Sequence, residues 1–586
     1  MRLTFRSRRK KSTLEVETRT PALSRTPLRL ENITSDVRLL EALSPEYAIR
    51  NDVLPLRREG AVTLIAAPDI ATFTRARPTM EALFGPVVHI TASATTLRQV
   101  ICRTAGPILA RKALERTSQR ESCRGWSGTR TAQIFGLALS SGAAIAYLYP
   151  AIAIWSVSIW ATLTLLAVTG LRTAGAITQL RASRTFGETW HSARPQRLAR
   201  NAYPRISILV PLFQERDIAE RLVARLGRLD YPDNRLETLL ILEQSDTVTS
   251  DALAKASLPD WMRIITVPPG TPQTKPRALN YALDFANGEI IGVYDAEDAP
   301  APDQLRVVAE TFAAAPANVA CLQGVLDFYN TRNTWLTRCF AIDYATWFRL
   351  VLPGLVRMGF AIPLGGTTVF FRRPILAKIG RWDAHNVTED ADLGIRLARR
   401  GFRTEFISSV TMEEATATVP AWLRQRSRWI KGYAVTWAVH MRAPRRLLQD
   451  LGLRKFLGIQ ILFLGSLSQF VLAPFLWSFW LVLIGLPHPL TDVATWSAVV
   501  AFGSAFLLCE VATITALALS VATPRHRGLI WWVPLMHLYF PLSAVACWKA
   551  LWELVARPFY WDKTDHGGPT SLPKRRWHRR LLPHPA

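Results

Sequence analysis

The chain is poor in cysteine and short of acid. Its six cysteines (Cys102, Cys123, Cys321, Cys339, Cys509 and Cys547) show no paired spacing, which excludes a disulfide framework and a zinc knuckle. The bulk of the chain is therefore expected to be reduced and to face the cytosol. Acidic residues number 45 against 71 Lys and Arg, a formal net charge of +26. Such a surplus first points to nucleic acid, but its placement argues for no nucleic acid. Arg6, Arg8, Arg9, Lys10 and Lys11 form one run, and Lys574, Arg575, Arg576, Arg579 and Arg580 form another near the far end. Beside apolar spans, such tails read as cytoplasmic-side anchors to a lipid membrane. No apolar run follows the basic N-terminus, so no signal peptide is expected.

What the chain has in quantity is apolar surface. Hydrophobic residues make up 49% of its 586 positions and tryptophan occurs 20 times. They cluster at 133–171 and 455–555. The stretches 133–150 and 151–171 are each close to the ~20 residues of a spanning helix, and they meet at Tyr149-Pro150. Arg124 and Arg130 precede this pair and Arg172 and Arg181 follow it, so a hairpin returning to the cytoplasm is expected. Further apolar runs cover 456–485, interrupted by Pro474, then 493–521 and 529–548. Counted with the hairpin these give five or six spans, and a cytoplasmic basic tail favours an even number after the soluble block. Glu510 falls within a span, either lining a polar conduit or buried and hydrogen-bonded. The expected location is the inner (plasma) membrane, multi-pass, with both termini cytoplasmic.

The remaining segments divide readily. Residues 1–35 read as a disordered basic arm. Residues 36–115 alternate short strands and helices as a small α/β domain, with Asp69 and Ser93 placed to start helices. Residues 200–440 carry continuous apolar runs at 206–210, 239–242 and 290–294 with helical stretches between them. That βαβα alternation implies a mostly parallel sheet with ligands at its carboxyl ends. Glu243, Asp246 and Asp295 stand at those ends, and Pro211 ends the first run with Glu215 soon after.

Three short signatures follow one another in this block. Asp295 and Glu297 are separated by one residue, so alternation along a strand would turn both carboxylates to one face. Hard oxygen ligands of this kind suit Mg²⁺ or Mn²⁺ held with a diphosphate; a solvated acidic turn is the alternative. Asp298 is a further candidate for this acidic site, but it is out of phase, and its other reading is a cap for the segment that follows. Thr388-Glu389-Asp390 opens a helical stretch, with Thr388 as cap and the acids in a first turn that favours their ionised form. An ionised Asp there can take a proton from a hydroxyl. Gln425, Arg428 and Trp429 share one helical face. Arginine can hold a diphosphate, tryptophan can stack on a sugar ring, and glutamine can bind hydroxyls. The competing reading is an interfacial helix, for which Trp422 also speaks.

In this order and spacing the signatures resemble a membrane-integrated family 2 glycosyltransferase, the class of cellulose, hyaluronan and chitin synthases, from about Pro204 to Gly432. The resemblance implies an α/β GT-A domain with a mixed, mostly parallel sheet, a nucleotide-diphosphate sugar donor with UDP-glucose favoured, and Mg²⁺ or Mn²⁺. It implies inversion and a growing polysaccharide, a β-glucan first, passed through the membrane. The alternatives are single-sugar transfer to a lipid carrier and a silent receptor or secretion scaffold. By position it implies that Pro211, Glu215 and Glu243 border the base and ribose, with Lys275, Asp295 and Arg428 toward the rest of the donor. Asp295 and Glu297 would hold the metal. Gly366, Thr367, Gln425 and Trp429 would meet the acceptor, and Asp390, with Glu389 beside it, would be the catalytic base. Two positions depart from the family pattern: Glu297 and Glu243-Gln244 stand where Asp is usual. Glu297 is one methylene longer, so direct metal contact would fall to Asp295, with Glu297 acting through water. The segment 558–567, with Trp561, Lys563 and Thr564, resembles the gating loop of cellulose-synthase-like enzymes; a juxtamembrane anchor fits it equally. DVLPLRREGAVTLIAAPD, from Asp52 to Asp69, is similar to the N-terminal domain of type II secretion and pilus-assembly ATPases. Some such domains bind cyclic di-GMP. The Leu-rich motif for that binding is not visible, which favours a docking or stability module; cyclic di-GMP and a periplasmic or outer-membrane export partner are the partners in view.

Overall fold

The computed structural model describes residues 35–186, 197–215 and 218–560. The basic runs at both ends, and Trp561, Lys563 and Thr564, lie outside the described residues.

The chain forms two units, one up to Ala105 and one from Gly106. In the first, strands β1 (Leu54–Glu59) and β2 (Val62–Ala67) pair antiparallel, and β3 (Val87–Thr91) adds parallel to β2. Gly60, at φ +60°, supplies the left-handed residue of the hairpin turn. Asp69 caps the Ile70–Phe84 helix by accepting the Thr72 N–H at 2.7 Å. Ser93 does the same for the next helix through the Thr96 N–H at 3.1 Å.

The second unit contains an eight-stranded sheet. Its strands are β4 (Ile206–Leu212), β5 (Leu236–Glu243), β6 (Met262–Val267), β7 (Ile290–Val293), β8 (Ala299–Pro300), β9 (Val319–Phe328), β10 (Val369–Arg372) and β11 (Arg403–Glu413). Their order is β6-β5-β4-β7-β10-β9-β11-β8. β4 to β7 pair parallel, β10 runs antiparallel to both neighbours, and β11 returns parallel to β9. This is the mixed, mostly parallel sheet expected of a GT-A domain. Every residue of β5 and β9 is buried, as strands covered on both faces must be.

Among the described residues five helices are long and apolar enough to cross a membrane, or six if the bent pair Arg527–Tyr539 and Leu542–Ala556 counts as one span. Two differ from expectation. The second arm of the hairpin does not stop near Leu171 but continues as one helix, Pro150–Phe186. Buried Ala176 and Gln179 keep its inner face packed past the flanking arginine, so Arg172 lies within the helix. The second is Trp335–Arg357, within the 200–440 block: it is long and apolar enough to cross a membrane, yet 67% of its apolar window is buried inside the protein, against 6% for Gly128–Leu148. The 456–485 run does break beside Pro474, leaving Ala473–Leu483 as a shorter apolar helix.

Candidate active site

One cavity of about 820 Å³ opens at the carboxyl ends of β4, β5 and β7. That is within the ~300–1,000 Å³ usual for small-molecule sites. Each described residue given a donor, acceptor, metal or catalytic role by the resemblance lines it: Pro211, Glu215, Glu243, Lys275, Asp295 and Glu297 from one set of elements, Gly366, Thr367, Glu389 and Asp390 from a second, and Gln425, Arg428 and Trp429 from a third; Asp246 and Asp298 do not. The same cavity continues among the apolar helices to Gln469, Glu510 and His537.

After β4 the chain turns at Gln214, a non-glycine residue at φ +55°. Asp246 holds that turn by accepting the Gln214 N–H at 2.7 Å, and Thr249 Oγ1 accepts the Glu215 N–H at 2.9 Å. Asp246 also caps the Thr247–Ala254 helix, so this strand-end acid is structural. Glu243 closes β5, and both of its oxygens accept from Arg277 Nη1 at 3.0 Å. Burial raises the Glu243 carboxyl, and the fully buried Arg277 opposes the rise. Lys275 opens the Lys275–Leu283 helix and donates to Asp295 Oδ1 at 2.5 Å and to the Gly366 carbonyl at 2.8 Å. Burial disfavours its charge, but Asp295, Glu389 and Asp390 outweigh that and hold the ammonium above its ordinary value.

Strand alternation does not place Asp295 and Glu297, because β7 ends at Val293 and the motif is a turn. Asp298 makes the turn. Its buried carboxylate accepts the Asp295 N–H at 2.8 Å and the Thr367 hydroxyl, so it caps its own turn and not the segment after it. Its Oδ1 has no hydrogen-bond partner among the described residues. Burial, then Asp295 and Glu297, push Asp298 well above the usual carboxylate range, and Glu413 is raised in the same way. Acids crowded against one another in this manner are what a divalent cation relieves, and their oxygens are of the right hardness. Asp295 and Glu297 therefore fit Mg²⁺ or Mn²⁺. No cluster of three or more His, Cys, Asp or Glu arranged for a metal occurs among the described residues, so other ligands would come from diphosphate and water.

Glu389, Asp390 and Asp392 occupy the first turn of the Glu389–Arg399 helix. Thr388 sits at the cap position, yet its side chain makes no capping bond. It packs instead on Gly432, where an added Cβ would lie 2.2 Å from Thr388 Oγ1. Asp392 is bound by Arg396 at 2.7 Å and His440 at 3.0 Å, both structural contacts. Asp390 Oδ1 accepts the Ala391 N–H at 2.8 Å, and Oδ2 faces Gly366, where an added Cβ would be 3.2 Å away. The helix N-terminus does not decide ionisation here. Burial pushes Glu389 to about 8, aided by Asp390, and pushes Asp390 to about 6 against the pull of the Ala391 N–H and Lys275. Burial thus raises both acids and Glu389 further than Asp390, a difference of environment that lets two adjacent carboxyls play different roles.

Gln425, Arg428 and Trp429 lie on the Val419–His440 helix. Gln425 Oε1 has no hydrogen-bond partner among the described residues. Arg426, which sequence reasoning passed over within the same motif, anchors the helix. It pairs with Asp343, donates to the Tyr539 hydroxyl at 2.7 Å and lies 4.9 Å over the Trp429 ring and 5.1 Å over Phe340. Gln323 was also missed, its only signal being a polar residue in the apolar run of β9. It accepts the Gly365 N–H at 2.9 Å and donates to the Thr367 carbonyl at 3.1 Å, fixing a loop whose Thr368 is strained at φ +53°. The start of the gating-like segment also lines the cavity through Phe559 and Tyr560. Buried Lys431 holds it by donating to the Tyr560 carbonyl at 2.7 Å and to Glu553 at 2.9 Å.

Residues 204–432 match the family described as glycosyltransferase like family 2. Similar curated proteins include the probable glycosyltransferase YdaM of Bacillus subtilis, 29% identical over 39% of this chain and 55% of that one. The beta-monoglucosyldiacylglycerol synthase of Trichormus variabilis is 29% identical over 41% and 52%. Glucomannan 4-beta-mannosyltransferase 7 of Arabidopsis thaliana is 23% identical over 40% and 43%. The chain spans about half the length of the curated relatives it matches. Among solved structures, the mannosyltransferase PcManGT from Pyrobaculum calidifontis, in complex with GDP-Man and Mn²⁺, aligns with a TM-score of 0.42 at 20% identity, covering 68% of this chain and 99% of that one. Residues 204–432 are thus a family 2 glycosyltransferase domain, carried by a chain with several apolar helices.

Proposed function

We propose that the chain is an inverting glycosyltransferase that extends a β-linked glycan at the cytoplasmic face, a β-glucan from UDP-glucose being favoured, and passes it through its own membrane helices. One observation carries this reading: a single cavity joins Asp295 and Asp390 to Trp429 and continues to Glu510 and His537 among the apolar helices.

The chemistry follows from the lining. Lys275 and Arg428 bring cationic donors to the diphosphate side. A divalent metal held by Asp295 and Glu297 would neutralise charge on the leaving diphosphate. Trp429, stiffened by Arg426, presents a ring face to the acceptor sugar, and Gln425 offers its unpartnered oxygen to a hydroxyl. Asp390 takes the acceptor hydroxyl proton as that oxygen attacks the anomeric carbon. Attack opposite the leaving group inverts an α-linked donor into a β-linkage. The N-terminal unit serves in this scheme as a docking module.

A second reading has an observation of its own. Relatives named beta-monoglucosyldiacylglycerol synthase place one glucose on a lipid, and apolar residues such as Leu165, Leu462, Phe470 and Phe506 line the helical part of the cavity. Product length separates the two. Purified protein given radiolabelled UDP-glucose should form products of many sugars that are cut by a β-glucanase. A product carrying a single glucose on lipid would overturn the polymerising reading in favour of the second.

A further inference from the structure

The helical walls of the cavity carry few charged side chains, and most are matched. Asp343 is taken by Arg426, and Glu510 lies 3.4 Å from His537. Arg172 is different. Among the described residues its guanidinium has no ion pair and no hydrogen bond, and its Nε is buried without a partner. Its contact is with the face of Trp347, 5.5 Å from the ring centroid. A cation–π contact recovers only part of what a guanidinium loses on leaving water. Charges kept at such cost in apolar helices mark ligand pathways.

Its position narrows the ligand. Arg172 lies about 33 Å along the helix that starts at Pro150, at ~1.5 Å per residue, while a hydrocarbon core is ~30 Å thick. It therefore stands at the depth where a membrane's polar headgroups begin. Thr169 and Thr173, within a turn of it, line the same cavity with hydroxyls. Trp429 and Tyr433 of the domain helix line it as well. A planar guanidinium fork beside hydroxyls suits a phosphate or carboxylate.

We infer that Arg172 receives an anionic group carried by the acceptor, either the phosphate of a lipid or the carboxylate of an acidic sugar. This rests on the reading above that the helical part of the cavity takes the acceptor. Full-length protein in phosphatidylcholine nanodiscs would be given UDP-glucose and two acceptor pairs: phosphatidylglycerol, which carries a phosphate and free glycerol hydroxyls, against diacylglycerol, and a glucuronate-ended β-oligosaccharide against its glucose-ended counterpart. The wild type should favour the anionic member of one pair by about tenfold or more in kcat/KM, one good charge-assisted contact. Arg172→Gln should bring that ratio close to one, and Arg172→Lys should keep part of it. Preference for phosphatidylglycerol identifies the lipid phosphate, and preference for the glucuronate identifies the acidic sugar. Equal use of both members by the wild type overturns the inference even if Arg172→Gln does not fold, and so does a ratio that Arg172→Gln leaves unchanged. Glycosylation of no member of either pair, with UDP-glucose still hydrolysed, means that the acceptor reading of this wall is wrong and the inference falls with it.

Discussion

Asp390 and Glu389 are adjacent acids in one helical turn, and their environment sets them apart. Both were legible as candidates from Thr388-Glu389-Asp390, but their ionisation was not, since burial beside Asp295 and Lys275 depends on residues distant in sequence. Asp390 must be ionised to act as base. Its carboxyl is raised to about 6, so transfer should hold near pH 7 and fall as pH drops through about 6. A limb near the ordinary carboxylate value would contradict the assignment. Asp390→Asn should lower kcat by roughly 10²–10⁴, the usual weight of a general base, with little change in donor affinity measured by calorimetry. Glu389→Gln should keep most of the activity near pH 7, because the glutamine copies an acid already neutral there; a loss as deep as that of Asp390→Asn would show that Glu389 works ionised. Asp295 gives a parallel test at the metal. Chelation should stop transfer and added Mn²⁺ should restore it in the wild type, whereas Asp295→Asn should respond weakly to any Mn²⁺ concentration in the assay. Full Mn²⁺-restored activity in that variant would move the metal elsewhere.

At the scale of elements, the Val419–His440 helix was readable because its spacing puts Gln425, Arg428 and Trp429 on one face. What seats it was not readable. Gly432 meets Thr388 where a Cβ would fall 2.2 Å from Oγ1, and Thr388 sits two residues from Asp390. The helix that presents Trp429 is thereby registered against the turn that presents the base. Gly432→Ala should force the two apart, costing about 1–3 kcal/mol as overpacking usually does, and should lower kcat more than donor affinity. A shift in melting temperature with unchanged kcat would mean that this contact serves stability alone. Strands followed the same division. β4, β5 and β7 were visible as unbroken apolar runs. β10, Val369–Arg372, ends in a half-buried arginine and runs straight into the next helix, and β11 mixes exposed and buried positions along Arg403–Glu413. Turn chemistry also overruled strand alternation at Asp295, where the buried Asp298 carboxylate draws the backbone out of extension.

For the molecule as a whole, the alternation of apolar runs and helical stretches implied an α/β domain between two apolar blocks, and the sheet has that character. The antiparallel insertion of β10 was not implied, because strand direction depends on where the chain re-enters the sheet. Nor was the shared cavity, which needs residues from β4, the Pro150–Phe186 helix and the Trp496–Ser520 helix side by side. That cavity makes a prediction no local variant can make. Ala516, half-buried on the Trp496–Ser520 helix, lines it far in sequence from the acids of the domain. Ala516→Trp places an indole in the path, a volume the packed walls cannot absorb. If a growing glycan leaves by this route, first transfers should continue while chains shorten sharply, read as a shift in the size distribution of radiolabelled product at constant UDP release per enzyme early in the reaction. If the cavity instead holds one lipid acceptor, the same indole should raise the acceptor KM and leave product size at one sugar. Long chains of wild-type length from Ala516→Trp would fit neither route and would take the exit path out of this cavity.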